Sequence, residues 1–233
     1  MRKLAIFVEG QTEQIFVKKL LSEIAGSNNI VIDLERAAKS RKGSRTFTGL
    51  FATRKIDNKK YYVLIRDCGS ETTVKSDIVD SLPSLNRENY EMIIGLRDVY
   101  PLSYSDIPKL KKHLNYGVPT RFMPVYMVLA IMEIESWFLG ETTHYKRIDP
   151  ALTLTKIKSQ VGFDPSVDDV ERISHPSVEL DKIYKIVHKA YKKDRLRVQR
   201  TVDVFDYAEI YLNLKSKISS LREFINRVDL FME

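Results

Sequence analysis

The first residues contain the feature that most restricts the fold. Residues 4–8 form an uninterrupted apolar run, which Glu9 and Gly10 end, and a helix-forming segment follows at 12–21. A run without polar alternation is typical of a central strand buried on both faces of an α/β sheet. Glu9 is therefore predicted to lie at the carboxyl end of that strand, which is the edge where ligands bind in open α/β folds.

Two later apolar runs also end in an acidic residue. Residues 61–65 lead into Asp67, and residues 91–96 lead into Asp98. A further buried strand is predicted at 122–131, and helices are predicted between the strands, at 11–24, 71–82 and 105–115. Strands that alternate with helices indicate a mostly parallel sheet flanked by helices. The polar segment 37–60 is predicted to be a long basic loop or hairpin beside the site.

The chain changes character after Gly140. Prolines punctuate short segments there, no strand pattern is convincing, and two amphipathic helices are predicted near 177–194 and 204–228. The prediction is an α/β domain at 1–140 and a helical C-terminal subdomain at 141–233.

Carboxylates are the most plausible ligands for any metal ion in this chain. Glu9 and Glu13 would lie close together at the start of the first helix, where they could share one divalent cation. The simpler interpretation is that Glu13 only interacts with the positive end of the helix dipole. Cys68 is the single cysteine, and the four histidines show no paired spacing for zinc. An oxygen-bound ion, Mg²⁺ or Mn²⁺, is therefore expected.

Basic residues are concentrated in two segments, although the net charge is only +7. Residues 36–60 carry nine Lys or Arg against one Asp, and residues 182–200 carry eight against one. This segregation suits a polyanion bound beside an acidic centre, although 180–193 also reads as an ordinary amphipathic helix with a solvated basic face. The predicted nucleic-acid-binding residues are Lys39, Arg41, Lys42, Arg45, Lys189, Lys192, Lys193, Arg195 and Arg197.

The apolar stretches are short. The longest one, 122–132, has far fewer than the roughly 20 residues that a bilayer requires. A cytoplasmic protein is therefore expected.

Three motifs carry a family resemblance. Residues 8–13, which contain Glu9 and Glu13, resemble the first motif of TOPRIM domains in the form found in OLD-family nucleases. Residues 92–98 resemble the second TOPRIM strand, whose end carries an Asp-x-Asp pair. Residues 133–140 are similar to a stretch of a TOPRIM-like bacterial family known as a domain of unknown function (number 4276).

The resemblance implies a TOPRIM-like α/β fold and a nuclease that uses Mg²⁺ or Mn²⁺. It implies that Glu9 and Asp98 act in catalysis, and that Glu9, Glu13, Asp98 and Glu135 hold the metal ion. Tyr100 stands where the motif has its second aspartate, so Asp106 or Asp67 would have to complete the site, or the centre would no longer cleave.

The expected substrate is nucleic acid, DNA rather than RNA, in bacterial or phage defence. No phosphate-binding loop motif for ATP occurs in the sequence, so a motor like that of OLD nucleases would be a separate ATPase subunit. Two alternatives stay open: a catalytically inactive module that binds nucleic acid or a partner protein, and a hydrolase of nucleotides or small phosphoesters.

Overall fold

A computed structural model describes residues 1–39, 45–51 and 58–233, with only the backbone described at Lys39. It shows an α/β fold in which a six-stranded, mostly parallel sheet is flanked by helices, as the sequence predicts. The strands are β1 (Arg2–Val8), β2 (Ile30–Lys39), β3 (Arg45–Phe51), β4 (Tyr61–Asp67), β5 (Met92–Asp98) and β6 (Val125–Ala130). Their order in the sheet is β3-β2-β4-β1-β5-β6.

The pairing of the central strands brings several carboxyl ends to one edge. Strand β1 pairs in parallel with both β4 and β5, and β2 pairs in parallel with β4. In this register Val8 lies opposite Asp67 on one side and Leu96 on the other. The chain segments that follow β1 and β4 therefore leave the sheet at the same edge, as expected for strand-end acids.

The apolar run that opens the chain lies in the core. Leu4, Ala5, Ile6, Phe7 and Val8 are fully buried, because β1 has a strand on each side and helices in contact with it. Strand β5 is also buried along its whole length.

The helices are α1 (Gln11–Ala25), α2 (Val74–Arg87), α3 (Ile107–Asn115), α4 (Glu135–Gly140), α5 (His144–Ile148), α6 (Leu154–Val161), α7 (Pro176–Lys185), α8 (Arg195–Asp203), α9 (Tyr207–Glu209), α10 (Lys215–Lys217) and α11 (Ser219–Met232). Short 3-10 turns lie at Tyr104–Asp106 and Val170–Arg172, and a π-helical turn at Ile210–Leu214. Residues 141–233, all of which are described, contain helices and no strand, as predicted.

The chain divides into two compact units. The first comprises Met1–Arg97, Pro108–Leu129 and Asn226–Glu233, and it contains the sheet with α1 and α2. The second comprises Asp98–Ile107 and Ala130–Ile225, with a core that includes Trp137, Phe138 and Tyr184. The predicted domain boundary at Gly140 stays a prediction.

Some local predictions differ from the structure. The sequence does not predict strand β2, which pairs antiparallel with β3, so the described part of 37–60 has the hairpin alternative of the prediction. The single helix predicted near 204–228 is divided into α9, the π-helical turn, α10 and α11. Helix α7 ends at Lys185, although the apolar stripe continues to Tyr191. The backbone turns left-handed at His188 (φ 57°), and the N–H of Tyr191 donates to the Asp181 carboxylate at 2.9 Å, which holds the following segment alongside α7.

Candidate metal or phosphate site

Three carboxylates of the second unit surround one ammonium group. The Nζ of Lys193 lies 3.0 Å from Glu133 Oε1, 3.2 Å from Glu135 Oε2 and 3.8 Å from Asp98 Oδ2. The three acids are at least nine-tenths buried, whereas the side chain of Lys193 is 41% exposed. The cluster therefore consists of buried negative groups around a cation that reaches in from the surface.

Asp98 is the last residue of β5, and the turn before α4 fixes its orientation. Its Oδ1 accepts a hydrogen bond from the backbone N–H of Ile134 at 2.9 Å. Ile134 lies between the other two acids in the sequence, so this bond ties the end of β5 to the segment that carries them.

Glu133 and Glu135 are placed by a sharp turn after β6. Met132 has φ 60°, a left-handed conformation that is uncommon for a residue with a side chain. Such conformations are concentrated at functional sites, where the surrounding structure maintains the strain. The turn directs both glutamates toward Lys193, although they are only two residues apart.

Glu133 is also bonded to the start of α7. Its Oε2 accepts the backbone N–H of Ser177 at 2.8 Å, and its Oε1 accepts the Ser177 hydroxyl at 3.0 Å. A carboxylate at the amino end of a helix interacts favourably with the helix dipole. Glu133 therefore has a structural role besides its contact with Lys193.

Glu135 is the most deeply buried acid of the cluster. It is fully buried, and its Oε1 accepts a hydrogen bond from the Tyr191 hydroxyl at 2.8 Å. Its Oε2 has the ion pair with Lys193, but among residues 1–39, 45–51 and 58–233 no group donates to it in hydrogen-bonding geometry. Burial raises the pKa of Glu135, and neighbouring Glu133 adds to the increase, whereas Lys193 and Tyr191 oppose it.

The carboxylate oxygens of the cluster are suitable ligands for a hard divalent ion, but the ammonium group of Lys193 lies among them. Carboxylate oxygens are the ligands that Mg²⁺ prefers. Within residues 1–39, 45–51 and 58–233, however, no group of three or more His, Cys, Asp or Glu side chains is arranged to hold a metal ion. The present arrangement of Asp98, Glu133 and Glu135 suits an ammonium group in the place of a metal ion.

Glu9 and Glu13 belong to the first unit. Glu9 follows β1 directly and is partly exposed, and Glu13 is buried in the first turn of α1. The neighbouring Gln14 holds this end of the sheet, because its amide donates to the backbone oxygens of Glu35 at 2.8 Å and Ile65 at 3.0 Å. That Glu9 and Glu13 share a site with Asp98 and Glu135 stays a prediction.

The two acids considered as replacements for the missing aspartate have local partners. Asp67 accepts the N–H of Gly69 at 2.8 Å and lies 3.2 Å from Arg36 Nε. Burial raises the pKa of Asp67, and these two contacts oppose the shift. Asp106 accepts bonds from the backbone and hydroxyl of Ser103, as a capping residue does.

Several predicted nucleic-acid-binding residues form internal contacts. Arg45 binds the Asp77 carboxylate at 2.8 and 2.6 Å and the Cys68 backbone oxygen at 2.6 Å. Lys189 contacts the Ile148 backbone oxygen and, at 3.3 Å, Asp149. Arg197 pairs with Asp194.

Lys192 and Arg195 are exposed. Arg41 and Lys42 lie outside the described residues, as does the side chain of Lys39. Binding of nucleic acid by any of these residues stays a prediction.

Sequence reasoning missed the way in which the second unit assembles the cluster. The sequence predicts that Lys193 binds nucleic acid and that Tyr191 belongs to an apolar stripe, and it predicts no role for Ser177. The strand-end pattern indicates Asp98. Lys193 lies 95 residues later, and no local pattern predicts that it contacts Asp98, because the left-handed turn at His188 has no strong sequence signal.

The chain belongs to the family described as a domain of unknown function (DUF4276), whose model matches residues 8–228. No curated protein matches the chain. One similar solved structure is the crystal structure of a hypothetical protein from Pyrococcus horikoshii OT3, at 16% sequence identity and a TM-score of 0.46, with 100% of this chain and 98% of that chain covered. Across the described residues, no helix is long and apolar enough to cross a membrane.

Proposed function

We propose that the protein is a nuclease that hydrolyses phosphodiester bonds of nucleic acid with a divalent metal ion. The observation that carries the proposal is the convergence of Asp98, Glu133 and Glu135 on the single cationic position now taken by Lys193. Buried carboxylates repel one another, so such a cluster needs a positive partner. A divalent ion could be that partner when substrate is bound.

Mg²⁺ or Mn²⁺ would be held by the oxygens of Asp98, Glu133 and Glu135 in exchange for the ammonium group. A divalent ion there would stabilise the charge that develops on the phosphodiester oxygens and would activate water as a nucleophile. Glu9 and Glu13 are proposed as further ligands, with Glu9 and Asp98 in the catalytic roles that the TOPRIM resemblance implies.

The side chains around the acids would keep them oriented. Tyr191 holds Glu135 through its hydroxyl, and Ser177 holds Glu133 through two bonds. Lys193, once displaced, would remain close enough to contact a phosphate oxygen, because its flexible side chain is already partly exposed.

A TOPRIM-type relationship is part of this proposal. It is supported by the parallel strands β2, β4, β1 and β5, and by acids directly after β1 and at the end of β5. The preference for DNA, a separate ATPase subunit, a cytoplasmic location and a role in defence are further expectations from the resemblance.

The direct test is cleavage of supercoiled plasmid, linear DNA and RNA by the purified protein with Mg²⁺ or Mn²⁺. Cleavage by the wild type and its loss in Asp98→Asn and Glu135→Gln would support the proposal. Glu88→Gln is a matched control, because Glu88 is an exposed acid of the first unit. Equal cleavage by the Asp98 and Glu135 variants would mean that a contaminant, or a different site, cleaves the substrate.

A second candidate is a module that binds nucleic acid or a partner without cleaving. Lys193 within 3.2 Å of two of the acids favours it, since an ammonium group already balances their charge. Tyr100 in the place of the second aspartate of the motif also favours it. Binding of nucleic acid by the wild type with no cleavage under any metal condition would support this candidate.

A further inference from the structure

The second unit contains a cavity whose lining includes residues that are close in the sequence to the carboxylate cluster. Its volume is about 350 Å³, and its lining includes Tyr100, Leu102, Tyr104, Met132, Arg172 and His175. The proposed metal ligands are not among the lining residues, so the cavity is a separate feature from the acid cluster.

The cavity wall and the cluster share the same backbone. Tyr100 comes two residues after Asp98, and Met132 directly precedes Glu133. The N–H of Tyr100 donates to the Met132 backbone oxygen at 2.7 Å, which joins the two segments. The cavity wall and the acid cluster are therefore connected through two short backbone segments.

Two aromatic side chains at this cavity are exposed. Tyr100 is 42% exposed and Tyr104 is 44% exposed. The Tyr100 ring meets the His175 ring edge-to-face at 5.5 Å, and the Arg172 guanidinium lies 4.2 Å from the centre of the Tyr104 ring. Rings held in this way by neighbouring groups form a firm surface on which a flat molecule can stack.

The cavity lining includes one acidic and one basic side chain. Glu171 is the acidic one, and its carboxylate already accepts bonds from the backbone N–H groups of Ser219 and Ser220 and from the Ser219 hydroxyl. The exposed guanidinium of Arg172 lies against the Tyr104 ring and 3.7 Å from Asp169, where it can also face a phosphate group.

We propose that this cavity binds an unpaired base of single-stranded nucleic acid, stacked against Tyr100 and Tyr104, with Arg172 facing the phosphate backbone. Base stacking on aromatic side chains with basic groups alongside is a general mode of single-strand binding. Bases inside a duplex are already stacked and paired, so they cannot enter without being flipped out. The inference rests on the proposed function, because it assigns the substrate class of the proposed nuclease.

The test is a binding measurement in EDTA, which needs no cleavage. Fluorescence anisotropy would compare short single-stranded DNA and RNA, the matched duplex, and a single strand whose bases are removed. The variants are Tyr100→Leu and Tyr104→Leu, with Tyr100→Phe as the conservative control that keeps the ring. Tyr116→Leu removes a 78% exposed ring in the first unit and serves as the surface control. Thermal melting of each variant would show that it is folded.

The expected result is tight binding of the single strand with bases, by the wild type and by Tyr100→Phe and Tyr116→Leu. Tyr100→Leu and Tyr104→Leu should each weaken binding by about 5- to 150-fold, the range expected for loss of one stacked base. A 2-aminopurine base in the strand should be quenched on binding to the wild type, and less so with Tyr100→Leu.

The proposal that the cavity binds a base would be contradicted if the folded Tyr100→Leu and Tyr104→Leu variants bound the single strand as tightly as the wild type does. It would also be contradicted if the wild type bound the duplex and the baseless strand as tightly as the single strand with bases. Parallel incubations with Mn²⁺ separate this outcome from failure of the nuclease proposal. Base-dependent binding without cleavage would contradict only the nuclease proposal. Cleavage that is unaffected by the two leucine substitutions would contradict only the base-binding proposal. Equal responses to DNA and RNA would assign the cavity to single strands in general.

Discussion

The ammonium group of Lys193 lies 3.2 Å from Oε2 of Glu135, a fully buried oxygen to which no group of the described residues donates in hydrogen-bonding geometry. Lys193 is the residue best placed to neutralise this buried charge, and its side chain is also partly exposed to solvent. The buried carboxylates therefore require a positive partner, and the partly exposed side chain of Lys193 is a partner that can move out of the cluster.

Replacing Lys193 by Met should destabilise the protein in EDTA by about 1–3 kcal/mol, because buried acids lose a charged partner. Added Mn²⁺ should then raise the melting temperature of Lys193→Met more than that of the wild type, since the ion no longer competes with the ammonium group. Lys192→Met, at the neighbouring exposed position, is the matched control. Thermal melts with and without Mn²⁺ measure both effects. An identical response of Lys193→Met and wild type to Mn²⁺ would contradict metal binding by these acids.

Tyr191→Phe should lower the free energy of unfolding by about 1–3 kcal/mol, because it removes a buried hydrogen bond to the Glu135 carboxyl group. Cleavage should fall as well, since Glu135 would lose its fixed orientation. Chemical denaturation gives the first quantity, and plasmid cleavage the second. Tyr116→Phe, at an exposed ring, should change neither. Unchanged stability of Tyr191→Phe would show that the hydroxyl is not bonded to Glu135.

The sequence predicts the centre of the sheet better than its edge. Strands β1, β4 and β5 are apolar runs, because buried parallel strands have no polar face to display. Strand β2 starts with three apolar residues and then includes Asp33, Glu35 and Arg36. Its identity as a strand depends on pairing with β3 and β4, which no local pattern shows.

In the candidate site too, local sequence patterns predict some residues, whereas others depend on long-range packing. Asp98 was predicted because it ends an apolar strand. The role of Lys193 and Tyr191 depends on where the chain turns after α7, and the apolar stripe there continues past the actual helix end. Long-range placement of this kind is decided by tertiary packing rather than by helix propensity.

Gly95→Ala should destabilise the first unit. A Cβ atom at Gly95 in β5 would lie 2.7 Å from Met127 Sδ and 2.8 Å from Ile78 Cδ1, so the packed side chains would have to move. Overpacking of this kind costs about 1–3 kcal/mol, with the low end expected here because both neighbours are flexible side-chain ends. Gly49→Ala, where a Cβ would meet nothing within 4 Å, is the control. Urea denaturation of the two variants should differ accordingly, and equal midpoints would contradict the close packing at Gly95.

Asp206→Asn should reduce stability at neutral pH but not in acid. Asp206 accepts the N–H of Glu209 at the start of α9, and this bond lowers its pKa, with a further contribution from Arg147. A lowered pKa in the folded state adds stability above the unfolded pKa of about 3.9, and that stability is lost as the pH falls through the folded value. Denaturation of wild type and variant at neutral pH and at a series of acidic pH values measures the difference, which should shrink as the pH falls below about 3.9 and vanish once the folded Asp206 is protonated. A difference that stays constant with pH would contradict the ionised contact.

Cys68 should react slowly with thiol reagents in the folded protein. Its side chain is 1% exposed, and burial raises the pKa of the thiol, with neighbouring Asp77 adding to the increase. The thiolate is the reactive form, so a raised pKa and restricted access act in the same direction. Reaction with a disulfide reagent should be slow in buffer and rapid in guanidinium chloride, where Cys68 is exposed. Asn28→Cys adds an exposed thiol as an internal control, and one fast and one slow thiol are expected in that variant. Two fast thiols would mean that the segment after β4 opens readily, which would contradict the packing of Arg45 and Asp77 around Cys68.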